Sequence, residues 1–173
     1  MATTSGSRAR RKPRQHPEPK PRPEVVGEAG EAPATAGAVE DSGYRWSRRS
    51  ERNLLECDRR IQRVMTEALR TSPVDMTVIC GHRSREAQER AYREGRSQLR
   101  YPQSKHNAFP SHAVDVVPYP VDWNDLDRFV ELARHILATA DRLGVEMRWG
   151  GDWDRDGDWR EHSFFDGPHF ELV

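Results

Sequence analysis

Cysteine is scarce: Cys57 and Cys80 are the only two, far apart and in no Cys-x-x-Cys spacing. That excludes a disulfide framework and a cysteine-clustered zinc finger, and both thiols are expected to be buried, free and without chemistry. Long apolar runs are missing as well. No stretch approaches the roughly 20 apolar residues of a membrane-spanning helix, and the N-terminus lacks the apolar centre of a secretory signal. The chain is therefore expected to insert into no membrane and to accumulate in the cytoplasm. Net charge is absent too, since 28 basic residues balance 28 acidic ones, which argues against a dedicated nucleic-acid binder. From Met1 to Gly43 there is no run of large apolar side chains, only Pro, Arg, Lys, Glu, Ala and Gly in quantity. Such a segment cannot bury enough surface to offset its ordering entropy, so 1–43 is expected to be a disordered Pro/Arg-rich tail. Its cluster of Arg8, Arg10, Arg11, Lys12 and Arg14 leaves open an electrostatic hold on an anionic polymer.

What is present lies almost entirely between residues 44 and 173. This segment of about 130 residues carries all five tryptophans and every periodic pattern, and it is long enough to bury a core. Leu54, Cys57, Ile61, Val64 and Ala68 recur at helical spacing and predict one amphipathic helix over Ser50–Leu69. Met76–Cys80 (MTVIC) reads as a strand ending at Gly81, followed by a helix capped by Ser84 that stops near Gly95. Ala113–Val117 (AVDVV) is a buried strand presenting one carboxylate, Asp115, and is closed by Pro118 and Pro120. A second long helix, capped by Asn124, buries Leu126, Phe129, Val130, Ala133, Leu137 and Ala140 and ends at Gly144. Val145–Trp149 and His169–Leu172 read as two further strands around a loop rich in Asp and Gly.

Seven histidines supply the main candidates for chemistry: His16, His82, His106, His112, His135, His162 and His169. A hydrolytic zinc site needs three ligands from His, Asp, Glu or Cys and one position open to water. His16 in the tail and His135 in mid-helix are expected to be solvated. His106 precedes the strand that presents Asp115, and His169 opens the last strand, so the three can converge from rigid backbone. His112 is the competing ligand. It lies three residues from Asp115, however, and an odd separation on a strand places the two on opposite faces, which favours His106.

Several separated motifs carry a family resemblance. Ser104-x-His106, Ala113-Val114-Asp115 and Asp166-Gly167-Pro168-His169-Phe170-Glu171-Leu172 resemble the signatures of the zinc D-alanyl-D-alanine carboxypeptidases and phage L-alanyl-D-glutamate endolysins. Cys80-Gly81-His82-Arg83-Ser84, Gln88 and Trp149-Gly150-Gly151-Asp152-Trp153 are similar to that family's intervening segments. The resemblance implies an α+β fold, a small antiparallel sheet flanked by helices of the Hedgehog/D-Ala-D-Ala peptidase type. It also implies Zn²⁺ on His106, Asp115 and His169, with Asp166 as general base. A carboxylate three residues before a ligating His can take a proton from water and hand it to a leaving amine. Arg83 would then hold a substrate carboxylate or a developing oxyanion. Eight residues separate His106 from Asp115, and Pro110 and Ser111 stand in the turn between them. This longer form resembles the endolysin branch, implying a peptidoglycan endopeptidase that waits in the host cytoplasm until it lyses the wall. A D-Ala-D-Ala carboxypeptidase, a non-catalytic wall-binding module and a nucleic-acid role for the tail remain alternatives. A monomer is expected.

Asp152, Asp154, Asp156 and Asp158, with Gly157, match the opening of a calcium-binding loop. Its twelfth position is Ser163 rather than a bidentate Glu, so Ca²⁺ and a solvated acidic loop both stay open.

Overall fold

A computed structural model describes residues 41–160 and 164–173. In chain order the elements are α1 (Arg48–Leu55), α2 (Arg59–Thr71), β1 (Met76–Cys80), α3 (Arg85–Arg93), a 3-10 turn (Lys105–Asn107), β2 (Ala113–Pro118), α4 (Leu126–Arg142), β3 (Met147–Trp149) and β4 (His169–Leu172). The strands form one antiparallel sheet in the order β1-β2-β4-β3. An α+β domain with a small antiparallel sheet and flanking helices is thus what the chain adopts.

Strand alternation decides which side of the sheet does what. Val114 and Val116 of β2, Phe170 and Leu172 of β4, and Met147 and Trp149 of β3 join the hydrophobic core with Ile61, Val64 and Met65 of α2 and Leu132, Ala133 and Ile136 of α4. With a side-chain period of two, the intervening residues Asp115, His169, Glu171 and Arg148 face the other side. The register sets Asp115 opposite His169, Cys80 opposite Asp115, and Arg148 opposite Glu171. One face of the sheet is therefore oil, and the other is a row of chemically able side chains.

Four expectations need correcting. Leu126, expected on the buried face of the second long helix, is 39% exposed, because it opens that helix at the rim of a cavity instead of over the core. The single helix over Ser50–Leu69 is two helices, because Glu56–Asp58 pairs with the loop before β2: Ser111 donates to the Glu56 carbonyl at 2.8 Å and accepts from the Asp58 N–H at 2.8 Å. Asp58 then caps α2, accepting from the Arg60 N–H at 2.9 Å. The cap of α4 is Asp125, which accepts from the Arg128 N–H at 3.3 Å, whereas Asn124 donates to Asp122. β3 begins at Met147 rather than Val145, whose N–H closes the end of α4 on the Ala140 carbonyl at 2.9 Å. Gly144 ends α4 with φ of 66°, as a left-handed stop requires.

Of the expected tail, residues 1–40 lie outside the described residues. Ser42 packs on the domain, donating to the Arg70 carbonyl from its N–H at 2.7 Å and to the Leu69 carbonyl from its hydroxyl at 2.8 Å. Cys57 and Cys80 are free thiols; burial pushes the Cys57 thiol up to about 12, whereas Cys80, on the polar face of the sheet, is half-buried and not buried as expected.

Candidate metal centre and active site

Three loops and two strands bring the site together. His106 sits in the 3-10 turn, capped by the Ser104 side chain and fixed to the β1–α3 turn, where the Arg83 N–H donates to the His106 carbonyl at 2.8 Å. Asn107 answers by donating to the Arg83 carbonyl at 2.9 Å. The close fit behind this turn demands glycine at 81, where a Cβ would stand 2.0 Å from the Asn53 carbonyl oxygen. Asp115 comes from mid-β2 and His169 from the start of β4.

His106 is 1% exposed, and its Nδ1 meets the Gly81 carbonyl at 2.7 Å. A carbonyl only accepts, so the hydrogen-bond network assigns the ring proton to Nδ1 and leaves Nε2 a lone pair. His169 Nε2 meets Glu171 Oε2 at 3.0 Å, which by the same argument leaves Nδ1 as its lone pair. Those two nitrogens lie 3.2 Å apart, and they stand 3.0 Å and 3.2 Å from Asp115 Oδ1. Three lone-pair atoms facing one another in a buried triangle repel unless a cation lies among them. Donors about 2.0–2.2 Å from a tetrahedral zinc are about 3.3 Å from each other, so the triangle suits that ion.

Without a metal ion, protons on the two imidazoles would take the place of that cation. Burial opposes the charge of Asp115, yet His106 and His169 outweigh it and hold its carboxyl well below the usual range. Burial likewise opposes protonation of both imidazoles, and the Asp115 carboxylate overcomes it, pushing each upward. The second oxygen of Asp115 accepts from Arg83 Nη2 at 3.1 Å, and Arg83 Nη1 donates to the buried Gln88 at 3.3 Å. Arg83 therefore grips a member of the triangle while also lining the cavity.

Asp166 stands on the loop before β4. Its N–H donates to the Gly150 carbonyl at 2.8 Å and its carbonyl accepts from the His169 N–H at 3.0 Å. Gly150 has to be glycine, since a Cβ there would come 2.5 Å from the Asp166 carbonyl oxygen. Burial and the neighbouring Asp115 charge push the Asp166 carboxyl above its ordinary value, the direction expected of a proton-transferring group. Asp166, Arg83, His106, Asp115 and His169 all line one cavity of about 1000 Å³. Trp123 and Trp153 are among its aromatic walls.

Other residues fall elsewhere. His112 turns away: its N–H donates to the Lys105 carbonyl at 3.1 Å, and its charge is felt by Asp58. His82 packs edge-on against Phe109. His135 is not solvated as expected but half-buried, 2.9 Å from the Ala68 carbonyl, tying α4 to α2. His162 and Ser163 lie outside the described residues. The carboxylates of Asp152, Asp154 and Asp156 converge within 4.8 Å, while Asp158 Oδ1 accepts from the Arg160 N–H at 3.1 Å.

Sequence reasoning missed two features here. Cys80, given no chemistry, forms with His106 and Asp115 a group able to hold a metal ion, ligand atoms within 4.8 Å. Its Sγ lies 4.0 Å from His106 Nδ1, the ring edge already committed to Gly81, whereas His169 approaches Nε2. Glu171 was also overlooked as the acceptor that sets His169, although a residue two along a strand shares its face.

Residues 42–173 match the model of the phage L-alanyl-D-glutamate peptidases. The chain belongs to that family. An L-alanyl-D-glutamate peptidase of Escherichia phage T5 is 32% identical over 136 residues, 75% of this chain and 98% of that protein. The crystal structure of the Serratia marcescens L-Ala D-Glu endopeptidase ChiX matches at TM-score 0.60 and 35% identity, covering 74% of this chain and 89% of the other. The L-alanyl-D-glutamate peptidase match begins at Ser42, the residue that docks on α2. Among the described residues no helix is long and apolar enough to cross a membrane.

Proposed function

We propose that this peptidase cleaves the L-alanyl-D-glutamate bond of peptidoglycan stem peptides, with zinc held by His106, Asp115 and His169 and with Asp166 as general base. The observation that carries this reading is the triangle of lone pairs at 3.0–3.2 Å, its tautomers set by Gly81 and Glu171. A bound zinc ion would supply Lewis acidity toward water and toward the scissile carbonyl. Asp166 would accept the proton of the attacking water as the new C–O bond forms. It would then return that proton to the departing glutamate nitrogen as the C–N bond breaks. Arg83 anchors Asp115 and offers its guanidinium to an anionic part of the substrate. Cys80 stays outside the ligand set, on the wrong edge of the His106 ring.

Ca²⁺ on Asp152, Asp154 and Asp156 belongs to this reading as an accessory ion, with Asp158 bonding its own loop. Accumulation in the host cytoplasm until release to the wall, and action as a monomer without membrane insertion, complete it.

The test is digestion of isolated cell walls by the zinc-loaded protein. New amino termini on glutamate are expected; release of D-alanine would mean a carboxypeptidase instead, and intact walls would end the assignment. Metal analysis of wild type beside His106→Ala, His112→Ala and His169→Ala checks the ligands, with only His112→Ala expected to keep zinc.

A further inference from the structure

Next to the triangle, on the same face of the sheet, Glu171 has a second partner that the proposed chemistry does not use. Arg148 of β3 stands directly across the ladder from Glu171 of β4. Its Nη2 is ion-paired with Glu171 Oε1, while the other carboxylate oxygen, Oε2, meets His169 Nε2 at 3.0 Å. Glu171 is thus a buried bridge, 6% exposed, with one oxygen on a guanidinium and the other on a ligand imidazole.

Arg148 is itself held on further sides. Its Nη1 donates to the Trp153 carbonyl at 3.4 Å, and its guanidinium carbon lies 5.2 Å from the centre of the Trp153 ring. That same ring lies 5.6 Å from the ring of His169. Arg148 Nε is buried with no hydrogen-bond partner among the described residues. A guanidinium on the surface would turn that donor to water; here it is kept in a place that leaves one donor unanswered, which is unfavourable unless the placement serves something else.

We propose that Arg148 is a positioning residue for the metal centre, acting through Glu171 to fix the orientation and the Nε2–H tautomer of His169. The inference rests on the metal reading above. Without Arg148, Glu171 would keep a single partner and no fixed direction, so the His169 ring could turn and Nδ1 would no longer face Asp115 Oδ1. Outer partners of a ligating histidine usually contribute about 10- to 100-fold in metal affinity. The guanidinium fork matters as well as the charge, because one arm reaches Glu171 and the other the Trp153 carbonyl.

The experiment measures zinc dissociation constants by competition with a chromophoric chelator. It uses the full chain as wild type, Arg148→Met, Arg148→Lys and Glu171→Gln, with circular dichroism and Tm recorded on the same samples. Arg148→Met is expected to bind zinc about 10- to 100-fold more weakly at unchanged secondary structure, Arg148→Lys to recover part of the loss, and Glu171→Gln to resemble Arg148→Met. The visible spectrum of the cobalt-substituted protein should shift in Arg148→Met and move back toward wild type in Arg148→Lys. Wild-type zinc affinity and cobalt spectrum in Arg148→Met would overturn the proposal, even if its Tm fell, because a merely structural arginine would give that result. If Arg148→Met does not fold, Glu171→Gln decides, and wild-type affinity there overturns it equally. Wild type that binds zinc but cleaves no wall would defeat the proposed substrate and leave this inference standing; wild type that binds no zinc would remove both.

Discussion

The cluster of His106, Asp115 and His169 takes its members from a 3-10 turn and two paired strands, whereas the acidic loop takes Asp152, Asp154 and Asp156 from one short stretch of chain. In the first, every side chain has a neighbour behind it: Gly81 behind His106, Arg83 behind Asp115, Glu171 behind His169. In the second, the groups are more exposed, and local bonds contribute to the shape, as where Asp152 accepts from the N–H groups of Asp156 and Gly157 at 3.2 and 3.0 Å. A site assembled from distant segments is expensive to organise but is already rigid in the folded chain.

That contrast can be broken or sharpened by substitution. His169→Ala should have the largest effect, abolishing both zinc binding and wall lysis, since two donors from this cluster cannot complete a hydrolytic site; metal analysis beside a turbidity assay reads both. Asp166→Ala should lower kcat by about 10²- to 10⁴-fold while retaining full zinc stoichiometry, and loss of zinc would make Asp166 a ligand instead of a base. Gly150→Ala puts a Cβ 2.5 Å from the Asp166 carbonyl oxygen and 3.0 Å from His169 Cβ. It should cost about 1–3 kcal/mol in thermal unfolding, and it should slow turnover by moving the base.

Asp58→Ala removes a helix cap whose side chain bonds Arg60 and neither cluster, and it should cost about 1 kcal/mol with zinc affinity unchanged. Hydrogen bonds from Arg60 hold the Asp58 carboxyl down to about 2, against 3.8 unperturbed. A carboxyl depressed on folding stabilises above its unfolded value and loses that contribution as pH falls through the folded one. The Tm gap between wild type and Asp58→Ala should therefore close between about pH 4 and pH 2. Asp154→Asn should do least: zinc content and lysis should stay at wild-type levels, and only a calcium-induced rise in Tm, if wild type has one, should vanish.

How far the residues alone could go follows the same division between local and distant. β2 was legible because alternation around Asp115 and the closing prolines are local facts, and α4 because its apolar spacing runs unbroken to Gly144. The break at Glu56–Asp58 was hidden, since Leu54, Cys57 and Ile61 keep helical spacing across it and the cause is Ser111, a partner supplied by the fold. His106, Asp115, His169, Asp166 and Arg83 stood out through motif resemblance and meet in one cavity. Cys80 and Arg148 did not, because their places beside the cluster depend on which strands are neighbours, and no nearby residue announces a register. His135 looked exposed beside Arg134, but the carbonyl of Ala68 that meets it belongs to another helix.

The pairing of Asp115 with His169 has a consequence for how errors in this sheet would be felt. Slipping β4 by one position would present Phe170 and Leu172 to the cavity and push His169 and Glu171 into the oil beneath. A molecule mispaired in this way would lose the triangle and its core together, so the site and the register stand or fall as one.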